Sequence, residues 1–284
     1  MKKQNTNTDI KYFIRKSEDR GYFDHGWLKS YHSFSFGDYY DPDWMGFENL
    51  RVINDDWIAP NSGFPLHGHK HMEIVSVILN GEIEHKDILG HQEIVPVGHV
   101  QVMNAGSGIR HSEFNPSTKA PLRLLQIWIE PDSQQIAPHY KRIDFTSTLQ
   151  KPGIHFLDHL NVHQKIRLGL IQKSLNVESF FVKAGQSLWL QATEEDLQIS
   201  LQTLTNADAT TAASPSPSSL LTLHNGDALA LWASPYDIQV NVSTSAKNNS
   251  IPTATTVTNQ NENVATNGIL RTQGLIILQG NGLN

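Results

Sequence analysis

The stretch from Gly63 to Pro116 decides the fold, and it reads GFPLHGHKHMEIVSVILNGEIEHKDILGHQEIVPVGHVQVMNAGSGIRHSEFNP. Short segments rich in β-branched and large apolar residues alternate there with Gly, Asn and Pro, a pattern typical of an all-β sandwich or barrel. The pair Asn80-Gly81 is the strongest hairpin signal in the chain, because this dipeptide suits a two-residue turn between antiparallel strands. We therefore predict two strands that fold back on each other at Gly81.

Two pairs of potential metal ligands lie in this stretch. His67 and His69 are two residues apart, and so are His111 and Glu113. On an extended strand, residues i and i+2 point to the same face of the sheet. Each pair can therefore converge on one point, and together they predict a mononuclear metal site inside a β-barrel.

The donor set limits the choice of metal. Three imidazoles and one carboxylate suit Fe(II), which we favour, and they also accept Zn, Ni, Co, Mn or Cu. Four protein ligands on an octahedral ion leave two positions open for a substrate and dioxygen. A structural zinc site would instead be closed, tetrahedral and often built with cysteine.

We do not expect the neighbouring charged and histidine residues to be metal ligands. We expect His71 to point to the same face as His69, beside the ligands or at their rim. Glu73 is expected to orient or neutralise the site without binding the ion. We assign His85, His91 and His99 to surface or loop positions.

Outside this stretch the chain forms two strand-rich halves, which suggests two β-barrels in tandem. Residues Pro138–Gln150 are interpreted as a connector with one helical turn. The segments 206–218 and 243–268 are rich in Ser, Thr, Asn and Ala, and we interpret both as loops of the second half. The strands predicted around them are Met72–Leu79, Gln92–Pro96, His99–Met103, Leu122–Ile129, Lys165–Leu175, Ser179–Val182, Ser187–Leu190, Leu197–Leu204, Ser219–Leu223, Ala228–Trp232, Asp237–Val242 and Gly274–Leu278.

The composition excludes several classes of function. The 284 residues include no cysteine, which rules out disulfides and thiolate chemistry. A net charge of −6 argues against direct binding of nucleic acid, which needs a basic face. No apolar stretch resembles a secretory signal or a membrane span, so we expect a cytoplasmic protein without membrane association.

The same residues carry a family resemblance. The spacing from Gly63 to Gly81 resembles the first cupin motif, and the spacing from Gly90 to Gly98 resembles the start of the second. An ordinary cupin would have its last histidine at position 101, where this chain has Gln101. The continuation to His111 and Glu113 looks like the pirin branch of the cupins. Further pirin-like stretches are Ile14–Lys16, Gly26–Leu28, Ser33–Phe36, Tyr40–Pro42, Leu50–Asp56 and Leu125–Ile129.

This resemblance implies a bicupin, that is, two tandem double-stranded β-helix barrels. Residues 1–138 would form the N-terminal cupin barrel with the metal site, and 139–284 a C-terminal cupin-like barrel without metal. The scattered histidines of the second half, His155, His159, His163 and His224, do not suggest another site. Where the family commonly has proline between the first two ligands, this chain has Gly68, which loosens the backbone there.

The resemblance also implies a metal-dependent dioxygenase that opens the ring of flavonols such as quercetin. In that interpretation His67, His69 and His111 are neutral ligands, and Glu113 is both fourth ligand and candidate base. The segment from Phe34 to Trp44 would cover the barrel mouth. A non-enzymatic alternative stays open, in which a metal-binding regulator of this family acts through a protein partner.

Overall fold

The computed structural model describes residues 10–133, 136–204, 220–244, 270–280 and 283, and their regular secondary structure is almost entirely β-strand. The strands of the first half are β1 (Tyr12–Arg15), β2 (Gly21–Asp24), β3 (Leu28–His32), β4 (Leu50–Ile58), β5 (Gly63–His69), β6 (Glu73–Asn80), β7 (Glu82–Asp87), β8 (Gln92–Pro96), β9 (His99–Asn104), β10 (Ile109–Phe114), β11 (Leu122–Ile129) and β12 (His139–Asp144). Those that follow are β13 (Gly153–Phe156), β14 (Ile166–Gln172), β15 (Glu178–Val182), β16 (Gln186–Ala192), β17 (Leu197–Leu204), β18 (Leu220–Leu223), β19 (Ala228–Leu231), β20 (Asp237–Thr244) and β21 (Thr272–Gly280). A 3₁₀ turn (Ser17–Asp19) and a one-turn helix α1 (Thr146–Leu149) interrupt them.

Two antiparallel sheets enclose the first barrel. One has seven strands in the order β12-β9-β6-β11-β4-β3-β2, and the other has four in the order β5-β10-β7-β8. Their inner faces carry two apolar clusters, one built around Ile78, Ile83 and Leu124 and the other around Met103 and Ile109.

A belt of polar side chains separates these two clusters. It runs in register across five neighbouring strands of the large sheet, because paired positions place their side chains on the same face. The belt consists of His32, Asn54, Gln126, Ser76 and Gln101. A barrel interior that carries a buried polar row is built for a ligand, since an apolar filling would stabilise the fold better.

The second barrel repeats this plan with a six-stranded sheet, β1-β19-β16-β21-β14-β13, and a four-stranded sheet, β15-β20-β17-β18. Its interior is apolar, with Leu188, Leu190 and Ile276 fully buried. The large sheets of the two barrels pack against each other through a continuous core that includes Val75 and Trp189.

The predicted fold class is confirmed: the protein is an all-β bicupin. The hairpin prediction at Asn80-Gly81 was wrong: Gly81 forms a turn at a φ of 79° between β6 and β7, but β6 belongs to the seven-stranded sheet and β7 to the four-stranded sheet, so the chain crosses there from one sheet to the other. The connector prediction was wrong in part, because β12 lies within it and pairs with β9, although α1 supplies the expected helical turn. The segment 206–218 lies outside the described residues, and so does 243–268 except for Ser243 and Thr244, which end β20.

The division at residue 138 stays a prediction, and two strands cross it. Strand β1 belongs to the first half of the chain but pairs with β19 of the second barrel. Strand β12 follows the predicted boundary yet extends the large sheet of the first barrel. Among the described helices, none has the length and apolar character needed to span a membrane.

Candidate metal centre

Three histidine rings meet inside the first barrel. His67 and His69 end β5, and His111 lies on β10 directly opposite His67 in the antiparallel register. Their ring centroids are 4.5 to 4.9 Å apart, and their potential ligand nitrogens lie within 4.8 Å of one another. The two-residue spacing explains this convergence, because it places both β5 histidines on the inner face of the strand.

The hydrogen bonds of these rings fix which nitrogen is available to a metal ion. His67 donates from Nδ1 to the carbonyl of Pro65 at 2.8 Å, which leaves the lone pair on Nε2. Nδ1 of His111 lies 3.5 Å from Nδ1 of His85, and its Nε2 is buried without a hydrogen-bond partner. Buried nitrogens normally have a hydrogen-bond partner, and a ring that binds a metal ion lacks one at the coordinating nitrogen. The Nε2 of His111 has this property and lies next to two further imidazoles, so the three donors fit a transition metal.

The rings of His69 and His111 are neutral near pH 7. Burial, together with the neighbouring rings of His111 and His67, lowers the pKa of His69 to about 4. Burial likewise lowers the pKa of His111 to about 3. A neutral imidazole offers a lone pair without a competing proton, which is the form that binds transition metals.

Glu113 enters the site from the same strand as His111, after a register shift between these two residues. Gln101 donates to its Oε1 at 2.6 Å and Gln126 donates to its Oε2 at 3.0 Å. The carboxylate oxygen that could bind a metal lies within 4.8 Å of the ligand nitrogens of His111 and His85. It does not form such a group with all three nitrogens of His67, His69 and His111. The structure therefore places Glu113 next to the three rings, held by two amides that the sequence did not single out as its partners.

His85 was assigned to the surface, and that prediction was wrong. The ring is fully buried on β7 and stacks on Tyr140 at a centroid distance of 4.1 Å. The error arose because β7 pairs with β10, which turns His85 toward His111. Its Nε2 lies 3.2 Å from Asp87, and the same carboxylate oxygen accepts a 2.8 Å hydrogen bond from Nδ1 of His91.

These contacts form a continuous chain from the candidate ligand outward. Nδ1 of His111 faces His85, His85 faces Asp87, and Asp87 binds His91, whose side chain is 38% exposed. His91 therefore lies at the surface as predicted, whereas His99 is partly buried at the start of β9. A histidine ligand whose second nitrogen is hydrogen bonded keeps one tautomer and one ring orientation.

The predictions for His71 and Glu73 were also wrong. His71 lies in an exposed turn at a φ of 52°, so β5 ends before it and the two-residue alternation stops. Glu73 is fully buried but shares the outer face of β6 with Val75 and Val77, toward the second barrel. There it accepts hydrogen bonds from Asn104 and from the backbone and ring of His163, and it contributes to the contact between the barrels.

A cavity of about 460 Å³ adjoins the three rings, and His67, His69 and Glu113 form part of its lining. Aromatic side chains provide much of the remaining wall. Trp128 packs edge-on against His69 at 4.9 Å and against Phe36 at 5.2 Å. Of the predicted covering segment, Phe36, Gly37 and Asp38 line the cavity, whereas Phe34 and Trp44 pack near Trp189 between the barrels.

One prediction concerns His32, a buried ring of the polar belt. Burial lowers its pKa to about 4, so the unfolded chain, with a pKa near 6.5, takes up a proton first as the pH falls. Its contribution to stability is therefore complete above pH 6.5 and is lost as the pH falls toward 4. Because the ring lines a solvent-accessible cavity, we expect about 1 kcal/mol, well below the maximum for such a shift.

The measurement is urea unfolding of the apoprotein at pH 7.5 and pH 5.0. The wild-type protein should lose about 1 kcal/mol more between these values than His32→Gln does. Equal losses in both proteins would show that His32 has the same pKa in the folded and unfolded states.

Comparison with known proteins agrees with this architecture. A sequence profile of the Pirin family matches residues 14–129. The quercetin 2,3-dioxygenase of Escherichia coli K12 is 43% identical over 194 residues, which cover 66% of this chain and 83% of that protein. A crystal structure of the bacterial pirin YhhW from Escherichia coli in complex with nickel(II) superposes with a TM-score of 0.71 at 32% identity, over 95% of this chain and 99% of that one.

The two barrels, with their candidate centre in the first, define the class of the protein as a bicupin. The comparisons also identify one family within that class, because the sequence match and the structural match each span most of the related protein. The chain belongs to the pirin family.

Proposed function

We propose that this protein is a metal-dependent dioxygenase of the pirin type that opens the ring of flavonols such as quercetin. The observation that carries the proposal is the partnerless, buried Nε2 of His111, which lies among two further imidazoles beside a cavity with aromatic walls. The related Escherichia coli protein is named quercetin 2,3-dioxygenase, and this name supports the substrate class.

We assign His67, His69, His111 and Glu113 as the residues that would hold one divalent transition metal. Fe(II) remains the favoured ion, and the nickel(II) complex of the Escherichia coli relative supports Ni(II) as an alternative. The bound ion supplies Lewis-acid and redox chemistry at coordination positions that the protein leaves open.

The protein's own part of the reaction begins with a proton. Glu113 lines the cavity and takes the proton of the flavonol's enolic hydroxyl onto a carboxylate oxygen. Gln101 and Gln126 position that carboxylate through one hydrogen bond to each oxygen. Trp128 and Phe36 orient the flat ring system and exclude water from it.

The test is turnover by apoprotein loaded separately with Fe(II), Ni(II), Co(II), Mn(II) or Cu(II). Loss of flavonol absorbance and release of carbon monoxide are followed in air and under nitrogen. We expect both signals with at least one metal and only in air. Absence of both signals with every metal would overturn the proposed activity, and a stoichiometric protein partner recovered by pull-down would then favour the regulatory alternative.

A second prediction concerns the hydrogen bond behind His111. His85→Phe keeps the stacking on Tyr140 but removes the nitrogen that faces His111. We expect the dissociation constant for Ni(II), measured by competition with a chelator, to rise about 10- to 100-fold, as is typical when the hydrogen-bond partner of a ligand is lost. His85→Gln, which restores an acceptor, should recover part of the affinity.

The matched control is Glu84→Gln, which alters the preceding residue on β7, where Glu84 pairs with the exposed Lys86. We expect this control to bind Ni(II) like the wild-type protein. Unchanged affinity in His85→Phe would show that His85 does not position His111.

A further inference from the structure

Four polar side chains form one wall of the cavity. Ser30 and His32 lie on β3, and their paired partners on β4 are Asp56 and Asn54. All four residues line the cavity, and none is more than 6% exposed. They belong to the large sheet of the barrel, so they face the three histidines of the small sheet across the cavity.

Two polar atoms of this wall lack hydrogen-bond partners within the described residues. Nδ1 of His32 and Oδ1 of Asn54 are both buried without a hydrogen bond. Leaving a buried polar group unpaired costs about 1–3 kcal/mol, and native proteins retain few such groups. Two of them side by side on one cavity wall indicate that a ligand supplies the missing partners.

The wall consists mainly of hydrogen-bond acceptors. Nδ1 is the ring nitrogen of His32 that is buried without a hydrogen-bond partner, and it offers a lone pair when the ring proton is on Nε2. Asn54 presents a carbonyl oxygen, and Asp56 presents a carboxyl group whose Oδ1 accepts a hydrogen bond from the Ser30 hydroxyl. A wall of acceptors selects a ligand that donates hydrogen bonds.

The charges around the cavity further limit the chemical class of ligand that can bind there. Its described lining contains the acidic residues Asp38, Asp56 and Glu113 but no lysine or arginine. At the wall away from the three imidazoles, carboxylate and phosphate ligands would therefore meet acidic side chains without a lysine or arginine beside them. Aromatic walls and acceptor atoms together favour a neutral, flat molecule with hydroxyl groups.

We infer that Ser30, His32, Asn54 and Asp56 form a hydroxyl-binding subsite, which binds the phenolic hydroxyls of the part of the substrate that contacts this wall. The inference rests on the proposed function, because it names the part of an aromatic substrate that reaches this wall. The subsite selects polyhydroxylated rings over rings that lack hydroxyls and over aromatic acids.

The experiment measures binding without turnover. Quenching of tryptophan fluorescence is titrated in metal-free protein with quercetin and with the same flavonol lacking its two catechol hydroxyls; Trp27 and Trp128 lie in the cavity wall and report occupancy. The wild-type protein should bind quercetin about 10-fold more tightly, as one to two buried hydrogen bonds allow. Binding of the two ligands within about twofold would overturn the inference.

Two variants locate the effect. Asn54→Leu and His32→Phe should each reduce the discrimination to about twofold or less while binding of the dehydroxylated flavonol is retained. Asn54→Leu should also keep or raise the melting temperature of the apoprotein, because an apolar side chain replaces an unpaired buried amide. Full discrimination in folded Asn54→Leu would overturn the assignment.

Lys29→Ala provides the matched control, since Lys29 lies on the same strand but points outward with a side chain that is 55% exposed. It should discriminate like the wild-type protein. The result is independent of catalysis: discrimination without turnover would remove the proposed activity and leave the subsite, and turnover without discrimination would remove the subsite alone.

Discussion

His69→Ala is expected to abolish metal binding at the candidate centre and, with it, flavonol turnover. The substitution removes one of three converging imidazoles and leaves only His67, His111 and Glu113 as ligands, which weakens the hold on the ion. The loss of a direct ligand should exceed the 10- to 100-fold effect of losing its hydrogen-bond partner, so we expect the dissociation constant for Ni(II) to rise more than about 100-fold. Isothermal titration calorimetry measures this constant, and retained tight binding would contradict the ligand assignment.

The chain offers a close control two residues away. His71 is exposed and lies in a left-handed turn outside β5. His71→Asn keeps a residue that tolerates this backbone conformation. We expect Ni(II) affinity and turnover like those of the wild-type protein, which would separate a ligand from a histidine that is only close in sequence.

Arg123→Met is expected to cause the largest loss of stability among the variants considered. Arg123 is 6% exposed and binds both oxygens of Asp55 at 2.9 and 2.8 Å. It also donates to Glu194 at 2.6 Å and to the carbonyl of Thr193, so it joins the two barrels. Its removal leaves Asp55 buried without its main partner, which costs about 3–5 kcal/mol.

Urea unfolding measures this loss, and two companion variants interpret it. Arg123→Met combined with Asp55→Leu should recover part of the stability, because the buried carboxylate is removed together with its main partner, and the remaining loss reflects the ion pair of Arg20 with Asp55. Lys173→Ala breaks the exposed ion pair with Glu195 and should cost about 0.5 kcal/mol or less. A loss below about 1 kcal/mol in Arg123→Met would show that this buried network contributes little.

The sequence predicted the convergence of His67, His69 and His111 because strand periodicity is local. Alternation along β5 and β10 is set by the backbone and needs no knowledge of distant residues. The same rule failed for His71, because β5 ends at His69 and His71 itself has a left-handed backbone conformation. Periodicity holds only as far as the strand extends.

The partners of Glu113 could not be predicted in this way. The sequence showed Gln101 only as a departure from the cupin motif. In the structure it belongs to the polar belt and donates a hydrogen bond to the carboxylate of Glu113. Gln126 does the same from β11. Their meeting depends on the pairing of β9, β6 and β11, which is a long-range property of the sheet.

A signal for the polar belt was present in the sequence. Single polar residues interrupt apolar runs at Ser76 and Gln126, and Asn54 begins the polar run Asn54-Asp55-Asp56 within β4. An isolated polar residue on the inner face of a buried strand needs a partner, and several of them at matching positions indicate a shared site. The burial of His85, in contrast, followed only from the pairing of β7 with β10.

The central claim is that one transition metal binds at the three imidazoles of the first barrel, and X-ray absorption at the nickel edge tests it most directly. In protein loaded with one equivalent of Ni(II), we expect the scattering pattern of three imidazoles at a distance close to the zinc–imidazole value of about 2.0–2.1 Å. The pattern should disappear in His69→Ala. A spectrum in which nickel is surrounded by water oxygens, or one left unchanged by His69→Ala, would contradict the claim.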